Sequence, residues 1–427
     1  MPLLKPTWRV PSAAAILLIS SVLTILFWSI LPVRYRLVEA TDYGVFYEPV
    51  ARSILAGNGF VLEGAQPATA FPPGYPLILA GVFGASHQLG LSEGFGLEVL
   101  ALSCMALISV FIFLLARMFW GTRVGIVSSL LWMTYPFALW LTKQPNSEMP
   151  FSVLLYGGLC LLGYLLIRGK SGWPLYLLCG FVFGGAMLIR PIAIGIVFVL
   201  ALIVWFARRD TDRKSRLLLI SVLLLGNLVA VFPWEAWVYV KTGRVVLLSG
   251  HGANTLRLGL TYAVDDRKEI SAPPDVDQVM KDIAARSAEI NSFSDMVRVV
   301  TSEFRAHPIA TTRLYLLKIA RSWYGTDSGH FELPILLIQI PYLGFALWGL
   351  HRLWRRGGIP RNYAIGTLMI VIYFWSMTVL ALSILRYMAP ITGLLFIVIA
   401  AGLSSATKFS AQISRTFEGR QKALQRT

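Results

Sequence analysis

An acidic residue and a proline-rich loop follow the first apolar stretch of the chain in a pattern that could support chemistry. Asp42 comes soon after this stretch ends, and residues 71–76 (Phe-Pro-Pro-Gly-Tyr-Pro) lead the chain into another apolar stretch. A carboxylate held where a membrane helix meets water suggests chemistry on a membrane-borne substrate. The elements that position it must then be membrane helices.

The composition supports this requirement. Hydrophobic residues make up 56% of the chain and charged residues 14%, against roughly 45–50% and about 25% in soluble domains. The apolar segments are long enough to cross a hydrocarbon core of about 30 Å. We therefore predict an all-α integral membrane protein with about ten transmembrane helices, near residues 12–33, 96–116, 123–142, 149–167, 174–189, 191–207, 215–238, 333–351, 362–384 and 387–405.

The net charge of +16 is distributed as in a membrane protein. With ten spans and an inside N-terminus, the whole basic excess falls on the cytoplasmic segments, as the positive-inside rule requires. Runs such as 208–216 and 352–361 set the orientation and can touch anionic membrane lipid. This distribution excludes nucleic acid as the expected partner. The cysteines at 104, 160 and 179 lie in apolar segments, so no disulfide framework is predicted.

The same charge test identifies the element at residues 74–90. A span there would invert the charge asymmetry, so it is predicted to be a juxtamembrane or re-entrant helix on the outer face. Before it, apolar residues recur from Tyr43 at intervals of three and four and predict a helix with Asp42 at its start. An Asp in this position can cap the helix or bind a ligand.

A second external region begins after the seventh span. Its start is Gly-rich with short β-like runs, and residues 250–259 are predicted to be a loop near the acceptor. Residues 275–306 are predicted to be polar helix with a capping box at Ser292 and Asp295, and residues 309–324 an interfacial helix. We divide the chain into an N-terminal membrane module (1–240) with its first outer loop (34–95), an external region (241–332) and a C-terminal module with a basic tail (333–427).

The order of motifs resembles the GT-C glycosyltransferases of the dolichyl-phosphate-mannose-protein mannosyltransferase type, the superfamily that includes the aminoarabinose transferase acting on lipid A. The resemblance covers most of the chain in the right order, and together the motifs are moderately specific. The family often has Asp-Glu where this chain has Asp42-Tyr43. The matching residues are the outer-loop Asp42, Pro72-Pro73-Gly74-Tyr75-Pro76, Tyr135-Pro136, Leu188-Ile189-Arg190-Pro191, Pro233-Trp234, Ser249 to Gly259, His307-Pro308 and Arg386-Tyr387.

What the resemblance implies is sugar transfer, with inversion, from a polyprenyl-phosphate donor to a hydroxyl of a glycan, lipid or protein acceptor. The expected place is the periplasmic or extracellular side of a bacterial cytoplasmic membrane. Asp42 is the candidate catalytic base. Glu148 is the candidate second carboxylate, orienting the acceptor, and its alternative is a solvated acid at a helix start. No cofactor is certain; a divalent metal ion stays open, with Asp42 and Glu148 as its ligands if one is present.

Five basic residues are candidates for binding the donor phosphate. An arginine near hydrocarbon requires a partner, and guanidinium groups bind phosphate bidentately. The alternative for these side chains is snorkelling to lipid headgroups. Tyr75, Tyr387 and Asn254 are expected to shape the cavity, although Tyr387 also suits an interfacial aromatic belt. The five basic candidates are Arg190, Arg386, Lys143, Arg257 and Lys318.

A transporter or flippase of a lipid-linked substrate is the alternative function. Such a protein should carry ionisable groups near the bilayer midplane, between repeated halves. Here the candidate groups gather at the outer ends of the spans and no internal repeat is evident, which favours the enzyme. The histidines show no HExxH spacing, and His251 and His307 in the external region are weak candidates for metal binding.

Overall fold

The computed structural model describes residues 10–32, 35, 42–62, 64, 66–168, 172–209, 211–250, 252–261, 272–290 and 292–404. These residues are predominantly helical, and their β-structure is one isolated bridge between Val61 and Pro67. The α-helices are Val10–Ile30, Glu48–Leu55, Gly74–Leu89, Glu93–Trp120, Thr122–Met133, Pro136–Leu141, Glu148–Arg168, Trp173–Ile189, Ile196–Ala207, Arg213–Thr242, Gly252–Gly259, Pro274–Ala285, Phe293–Ala306, Pro308–Arg321, Glu332–Arg356, Gly358–Leu380, Leu385–Met388 and Thr392–Leu403.

Each of the ten predicted spans coincides with helix, which confirms the predicted fold class. Seven helical segments among the described residues are both long and apolar enough to cross a membrane, so the count of ten is not reproduced. One predicted span, 123–142, is broken at Thr134 because Pro136 cannot continue the hydrogen-bond ladder of the preceding helix. The predicted spans 174–189 and 191–207 are apolar helices of fewer than 18 residues, and Pro191 separates one from the other.

Small residues allow two of the long helices to pack closely. Gly180, on helix Trp173–Ile189, lies against the backbone of Leu223, and Gly226 on the facing helix lies against the backbone of Leu177. Gly184 continues the same face of its helix four residues further on. This is the small-residue packing that membrane helices use where lipid supplies no hydrophobic driving force between them.

Gly180→Ala is therefore expected to destabilise the bundle by about 1–3 kcal/mol, the usual cost of overpacking a core. The added methyl group would overlap the carbonyl oxygen of Leu223, so the two helices must separate. Thermal unfolding in detergent measures the effect. Gly81→Ala is the matched control, because a Cβ there meets nothing within 4 Å; equal melting temperatures for the two variants would contradict the close contact.

The last membrane segment lies at the centre of the bundle. Of the apolar window in Leu385–Leu403, 89% is buried inside the protein, the largest share among the seven long apolar segments. Helix Thr392–Leu403 packs against Glu332–Arg356 and Thr122–Met133. Gly349 and Gly402 meet backbone to backbone at one of these contacts. The residues at the start of this segment are thereby fixed relative to the surrounding helices.

Helix Gly74–Leu89 starts and ends at the same end of the bundle. Gly74 contacts the backbone of Leu188, near the end of helix Trp173–Ile189. Near the other end of helix Gly74–Leu89, Ser86 lies against Gly96 in the first turn of Glu93–Trp120. These contacts suit the juxtamembrane or re-entrant helix that the charge distribution predicted.

A second, smaller hydrophobic cluster is built from helices after residue 252. Leu260, Val276, Ile283, Val299 and Leu314 are among its buried members. We refer to residues 252–261, 272–290 and 292–321 as the small subdomain. The division of the whole chain into three modules remains a prediction, and residues 405–427 of the basic tail lie outside the described part.

Two predictions about the small subdomain were wrong in detail. The glycine-rich stretch predicted to be a loop contains helix Gly252–Gly259, whose last glycine packs against the backbone of Leu380 and Ala381. The polar helix predicted over 275–306 is two helices, separated by a 3₁₀ turn at Ser287–Glu289. The predicted cap at Ser292 is present, because its hydroxyl accepts a hydrogen bond from the Asp295 amide at 3.2 Å.

Candidate functional site

Three helix termini that are distant in sequence bring Glu148, Arg190 and Arg386 into contact. A carboxylate oxygen of Glu148 lies 2.6 Å from Nη1 of Arg190, and the same oxygen accepts a hydrogen bond from Nε of Arg386. Nη2 of Arg386 is 3.4 Å from the other carboxylate oxygen. We call these three residues the arginine clasp, and the end of the bundle at which they lie the site end.

The local sequence explains the position of Glu148. Asn146 caps the helix, since its side-chain oxygen accepts a hydrogen bond from the amide of Met149 at 3.1 Å. Glu148 is therefore in the first helical turn, where the helix dipole favours a negative charge. Ser147 beside it accepts a hydrogen bond from Nη1 of Arg190 at 2.9 Å, so the same short segment supplies two partners to one guanidinium.

Arg190 is turned out of its helix by the proline that follows it. The residue before a proline is disfavoured in the α conformation, and Arg190 is extended, with φ −139° and ψ 120°. Pro191 then starts a 3₁₀ turn, whose Ile192 carbonyl accepts a hydrogen bond from the Tyr373 hydroxyl at 3.0 Å. The Leu-Ile-Arg-Pro sequence thus directs one guanidinium into the site end and leaves it 9% exposed.

Arg386 is held by hydrogen bonds on both sides of its short helical turn. The Leu385 amide donates to the carbonyl of Gly325 at 2.9 Å. On the other side, the Tyr156 hydroxyl donates to the carbonyl of Pro390 at 2.8 Å. The guanidinium is 21% exposed, and its Nη1 lies 3.9 Å from Asp327, beyond hydrogen-bond distance. Arg386 therefore keeps donors that a bound anion can use.

Aromatic rings surround the arginine clasp. The guanidinium of Arg190 lies over the ring of Tyr387, with Cζ 4.9 Å from its centroid, so Tyr387 supports an arginine by a cation–π contact. Tyr75 is fully buried, and its ring meets that of Tyr47 edge-on at 4.9 Å. The structure thus places both predicted cavity-shaping tyrosines in the packing behind the site. Burial raises the pKa of Tyr47, whose hydroxyl lies close to Ser147.

Asp42 lies at the start of the helix that the apolar spacing predicted. It is followed by a π-helical turn, Tyr43–Tyr47, in which Tyr43, Phe46 and Tyr47 are buried. Its own side chain is partly exposed and makes no capping hydrogen bond. The Asp42 carboxylate therefore does not cap the helix, which was the structural alternative for this residue. The Asp42 charge helps to raise the pKa of Tyr47, which places it within electrostatic range of the site end.

Asp327 belongs to the site end, although sequence reasoning missed it. Its side chain is 60% exposed, and a carboxylate oxygen lies 3.9 Å from Arg386. Desolvation by the surrounding protein raises the pKa of this carboxyl; Arg386 opposes the rise, and the charges of Glu148 and Asp42 add to it. Its turn between two helices shows no periodic pattern, so the sequence carries no signal for it beyond a carboxylate shortly before a span.

The predicted role of Glu148 does not fit its surroundings. The residue is 0% exposed and held between two guanidiniums, so it is neither the solvated acid at a helix start nor a carboxylate that can reach an acceptor. Two adjacent positive charges also oppose a divalent cation. The donor set predicted for a metal, Asp42 with Glu148, therefore does not suit one. Glu148 instead acts as the counter-ion that positions Arg190 and Arg386.

The remaining predicted phosphate ligands have other partners. Lys143 donates to the carbonyl of Tyr35 at 3.0 Å and lies over the Trp140 ring. Arg257 donates to the carbonyl of Ile290 at 2.6 Å within the small subdomain. Lys318 is fully buried and donates to the carbonyl of Gly259. The structure does not bring these three into the arginine clasp. Asn254 belongs to helix Gly252–Gly259, but its side chain and His251 lie outside the described residues.

The burial of Lys318 predicts that the free energy of unfolding increases as the pH becomes alkaline. Desolvation lowers its pKa to about 7 from an ordinary value of 10.5, so the unfolded chain binds more protons between these two pH values. The free energy of unfolding should therefore rise with pH across this window, by at most about 1.4 kcal/mol per pH unit, and this contribution is lost as pH falls towards 7.

Chemical denaturation of wild type and Lys318→Met at several pH values measures this dependence of the free energy of unfolding on pH. Lys281→Met is the control, since Lys281 is exposed; an unchanged slope in Lys318→Met would contradict the assignment.

Comparison with known proteins relates this geometry to a family. Residues 72–237 match the model of the dolichyl-phosphate-mannose-protein mannosyltransferase family, and this segment contains Tyr75, Glu148 and Arg190. No curated protein matches the sequence.

Solved structures share the fold at low sequence identity. The apo oligosaccharyltransferase of Archaeoglobus fulgidus superposes with a TM-score of 0.58 and 12% identity, covering 97% of this chain and 52% of that one. The AglB oligosaccharyltransferase of the same organism, in complex with an inhibitory peptide and a dolichol-phosphate, gives 0.54 and 13%, covering 98% and 52%. ArnT from Cupriavidus metallidurans, bound to undecaprenyl phosphate, gives 0.42 and 14%, covering 96% and 81%.

The chain therefore spans about half the length of the oligosaccharyltransferases it matches. The family match includes two of the three clasp residues, and the fold match extends over nearly all of the chain. Together with the apolar helices, these findings show a multi-pass membrane protein that has the fold of these oligosaccharyltransferases, with residues 72–237 similar to the dolichyl-phosphate-mannose-protein mannosyltransferase family that the motifs indicated.

Proposed function

We propose that this protein transfers a sugar from a polyprenyl-phosphate donor to a hydroxyl group of a glycan, lipid or protein acceptor. The observation that carries the proposal is the arginine clasp: two guanidiniums are fixed by one buried carboxylate, and Nη1 of Arg386 lies 3.9 Å from Asp327, beyond hydrogen-bond distance. A site of this kind suits the phosphate of a lipid-linked sugar, because charge-assisted hydrogen bonds from arginine match phosphate oxygens. The dolichol-phosphate in the AglB complex supports the same class of ligand.

The proposed reaction is a single displacement. Asp42 accepts the proton of the acceptor hydroxyl as its oxygen attacks the anomeric carbon of the donor sugar. The bond from that carbon to the phosphate oxygen breaks, and the polyprenyl phosphate leaves with the electron pair. Arg386, supported by Arg190, stabilises the charge that develops on the leaving phosphate. One displacement inverts the anomeric configuration, as the family resemblance implies.

The distribution of charge supports an outer-face site. The site end lies opposite the end that carries the arginines at 117, 123, 208, 213, 352 and 356. If the positive-inside rule holds for this chain, those arginines face the cytoplasm and the arginine clasp faces the periplasm or the extracellular side. A bacterial cytoplasmic membrane is the proposed location.

The transporter alternative has less support in the geometry. A transporter would be expected to place ionisable groups near the midplane. In the described part of the chain, the buried polar residues along the long spans, such as Ser20, Ser109, Ser129, Asn227 and Thr367, are neutral. The buried charges of the arginine clasp lie instead at the helix termini. An enzyme at the membrane surface explains that position better than a translocation path does.

The test is a transfer assay with the purified full-length protein. A panel of radiolabelled undecaprenyl-phosphate sugars is incubated with the protein and a membrane extract that supplies acceptors, and label is followed out of the lipid fraction. We expect transfer from at least one donor, with release of undecaprenyl phosphate. Translocation of intact donor in vesicles, without transfer from any donor, would overturn the proposal in favour of a flippase.

A further inference from the structure

A histidine and two carboxylates in the small subdomain form a group that the proposed reaction does not use. Asp282 is near the end of helix Pro274–Ala285, Glu303 is near the end of Phe293–Ala306, and His307 is at the junction with the following helix. One potential ligand atom from each residue lies within 4.8 Å of the other two. We propose that these three side chains bind one Zn²⁺ ion, which fixes the three helices to one another.

The Glu303 carboxylate is buried, and one of its two oxygens can still coordinate a ligand. Glu303 is only 6% exposed. Its Oε1 accepts a hydrogen bond from Arg286 at 3.0 Å, whereas its Oε2 accepts none from the described residues. The Oε2 atom therefore has lone pairs available to coordinate a cation. One oxygen of Asp282 is similarly open, because Gln278 donates to the other at 2.9 Å.

The local charge favours a divalent cation. The carboxylates of Glu289 and Glu303 pair with the guanidinium of Arg286, and Asp282 adds a third carboxylate close to that of Glu303. The three carboxylates outnumber the guanidinium, and a divalent cation such as Zn²⁺ would balance the excess of negative charge. Arg286 is engaged by Glu289 and by Oε1 of Glu303, so its position does not block the open carboxylate oxygen. In the arginine clasp, by contrast, positive groups outnumber the single carboxylate.

The ligand types and the backbone geometry both suit zinc. Imidazole nitrogens and carboxylate oxygens are both ligands of Zn²⁺, at about 2.0–2.2 Å, and water can complete the coordination. Such bonds place ligand atoms about 3.3–3.6 Å apart, so the present spacing must contract by about 1 Å. His307 is exposed and Asp282 partly exposed, which leaves their side chains room to move. The His307 amide and the Thr311 hydroxyl both donate to the Glu303 carbonyl, at 2.8 and 3.2 Å, and hold the two ligands in register.

Zinc titration of the purified protein tests the site directly. The full-length chain in detergent is treated with EDTA, dialysed, and titrated with Zn²⁺ alone or Mg²⁺ alone, and bound metal is measured by mass spectrometry. We expect about one equivalent of zinc per chain, no comparable binding of magnesium, and a rise in melting temperature with zinc. His307→Ala should lose the bound zinc and the rise, and Asp282→Asn should weaken binding at least tenfold.

Two controls separate this site from adventitious binding. His351→Ala removes a histidine on another helix and should bind zinc as wild type does, and Asp277→Asn removes an exposed acid from the same helix as Asp282. Equal zinc binding by wild type and His307→Ala, or no zinc binding by folded wild type, would overturn the proposal. These readouts need no transferase activity, so a failure here is independent of the proposed reaction.

Discussion

Asp42→Asn is expected to lower the rate of sugar transfer by about 10²–10⁴-fold, the usual contribution of a positioned general base. Asparagine keeps the shape of the side chain but cannot accept the acceptor's proton. Because the Asp42 carboxylate makes no capping hydrogen bond, the substitution should leave the melting temperature unchanged. Initial rates under saturating donor, together with thermal unfolding in detergent, separate the two effects.

Asp277→Asn is the matched control, since this carboxylate is exposed in the small subdomain and pairs only with Lys281 among the described residues. It should transfer sugar at the wild-type rate. Equal turnover by wild type and Asp42→Asn would remove Asp42 from the catalytic machinery. A loss of activity accompanied by a fall in melting temperature would mean that Asp42 stabilises the fold instead.

Glu148→Gln is expected to destabilise the protein by about 3–5 kcal/mol, the cost of leaving buried charges without a counter-ion. Glutamine occupies the same volume, but it leaves the Arg190 and Arg386 guanidiniums facing each other without the negative charge between them. The same change should raise the KM for donor, because both arginines lose their fixed positions. Thermal unfolding and transfer kinetics in detergent measure these effects.

Glu98→Gln serves as the control for this substitution, since Glu98 is exposed on helix Glu93–Trp120. Its melting temperature should match the wild type within the small range typical of surface substitutions. If Glu148→Gln were as stable as Glu98→Gln, the buried ion pairs would not contribute to holding the site end together. If it were unstable but bound donor normally, the arginine clasp would be structural only.

The helices were predictable because their signals are local. Apolar length identified the membrane segments, and capping or proline residues fixed several boundaries, such as those at Ser292 and Pro308. The helix at Gly252–Gly259 was missed because its glycines weaken the local signal. Its stability comes from packing against Leu380 and Ala381, residues more than a hundred positions away.

The site was predictable residue by residue, but its arrangement was not. Asp42, Glu148, Arg190 and Arg386 each stand out as charges near helix ends. Glu148 and Arg386 are separated by 238 positions, and only the packing of the whole bundle brings them together. Sequence reasoning therefore sought a partner for each arginine in the substrate, while the protein itself supplies one. Asp327 was missed because a short turn has no periodic pattern of apolar residues that would indicate its position.

The burial of the last membrane segment has a consequence for how the specificity of this protein can change. Arg386 is at the start of the segment with the largest buried share, so substitutions that shift it would disturb packing throughout the bundle. Asp327, by contrast, lies in a turn between two helices with its side chain 60% exposed, and insertions and exchanges are better tolerated in such turns. If the proposed reaction is right, acceptor range can therefore diverge while donor binding stays constant, and redesign for a new acceptor should begin in the turn around Asp327.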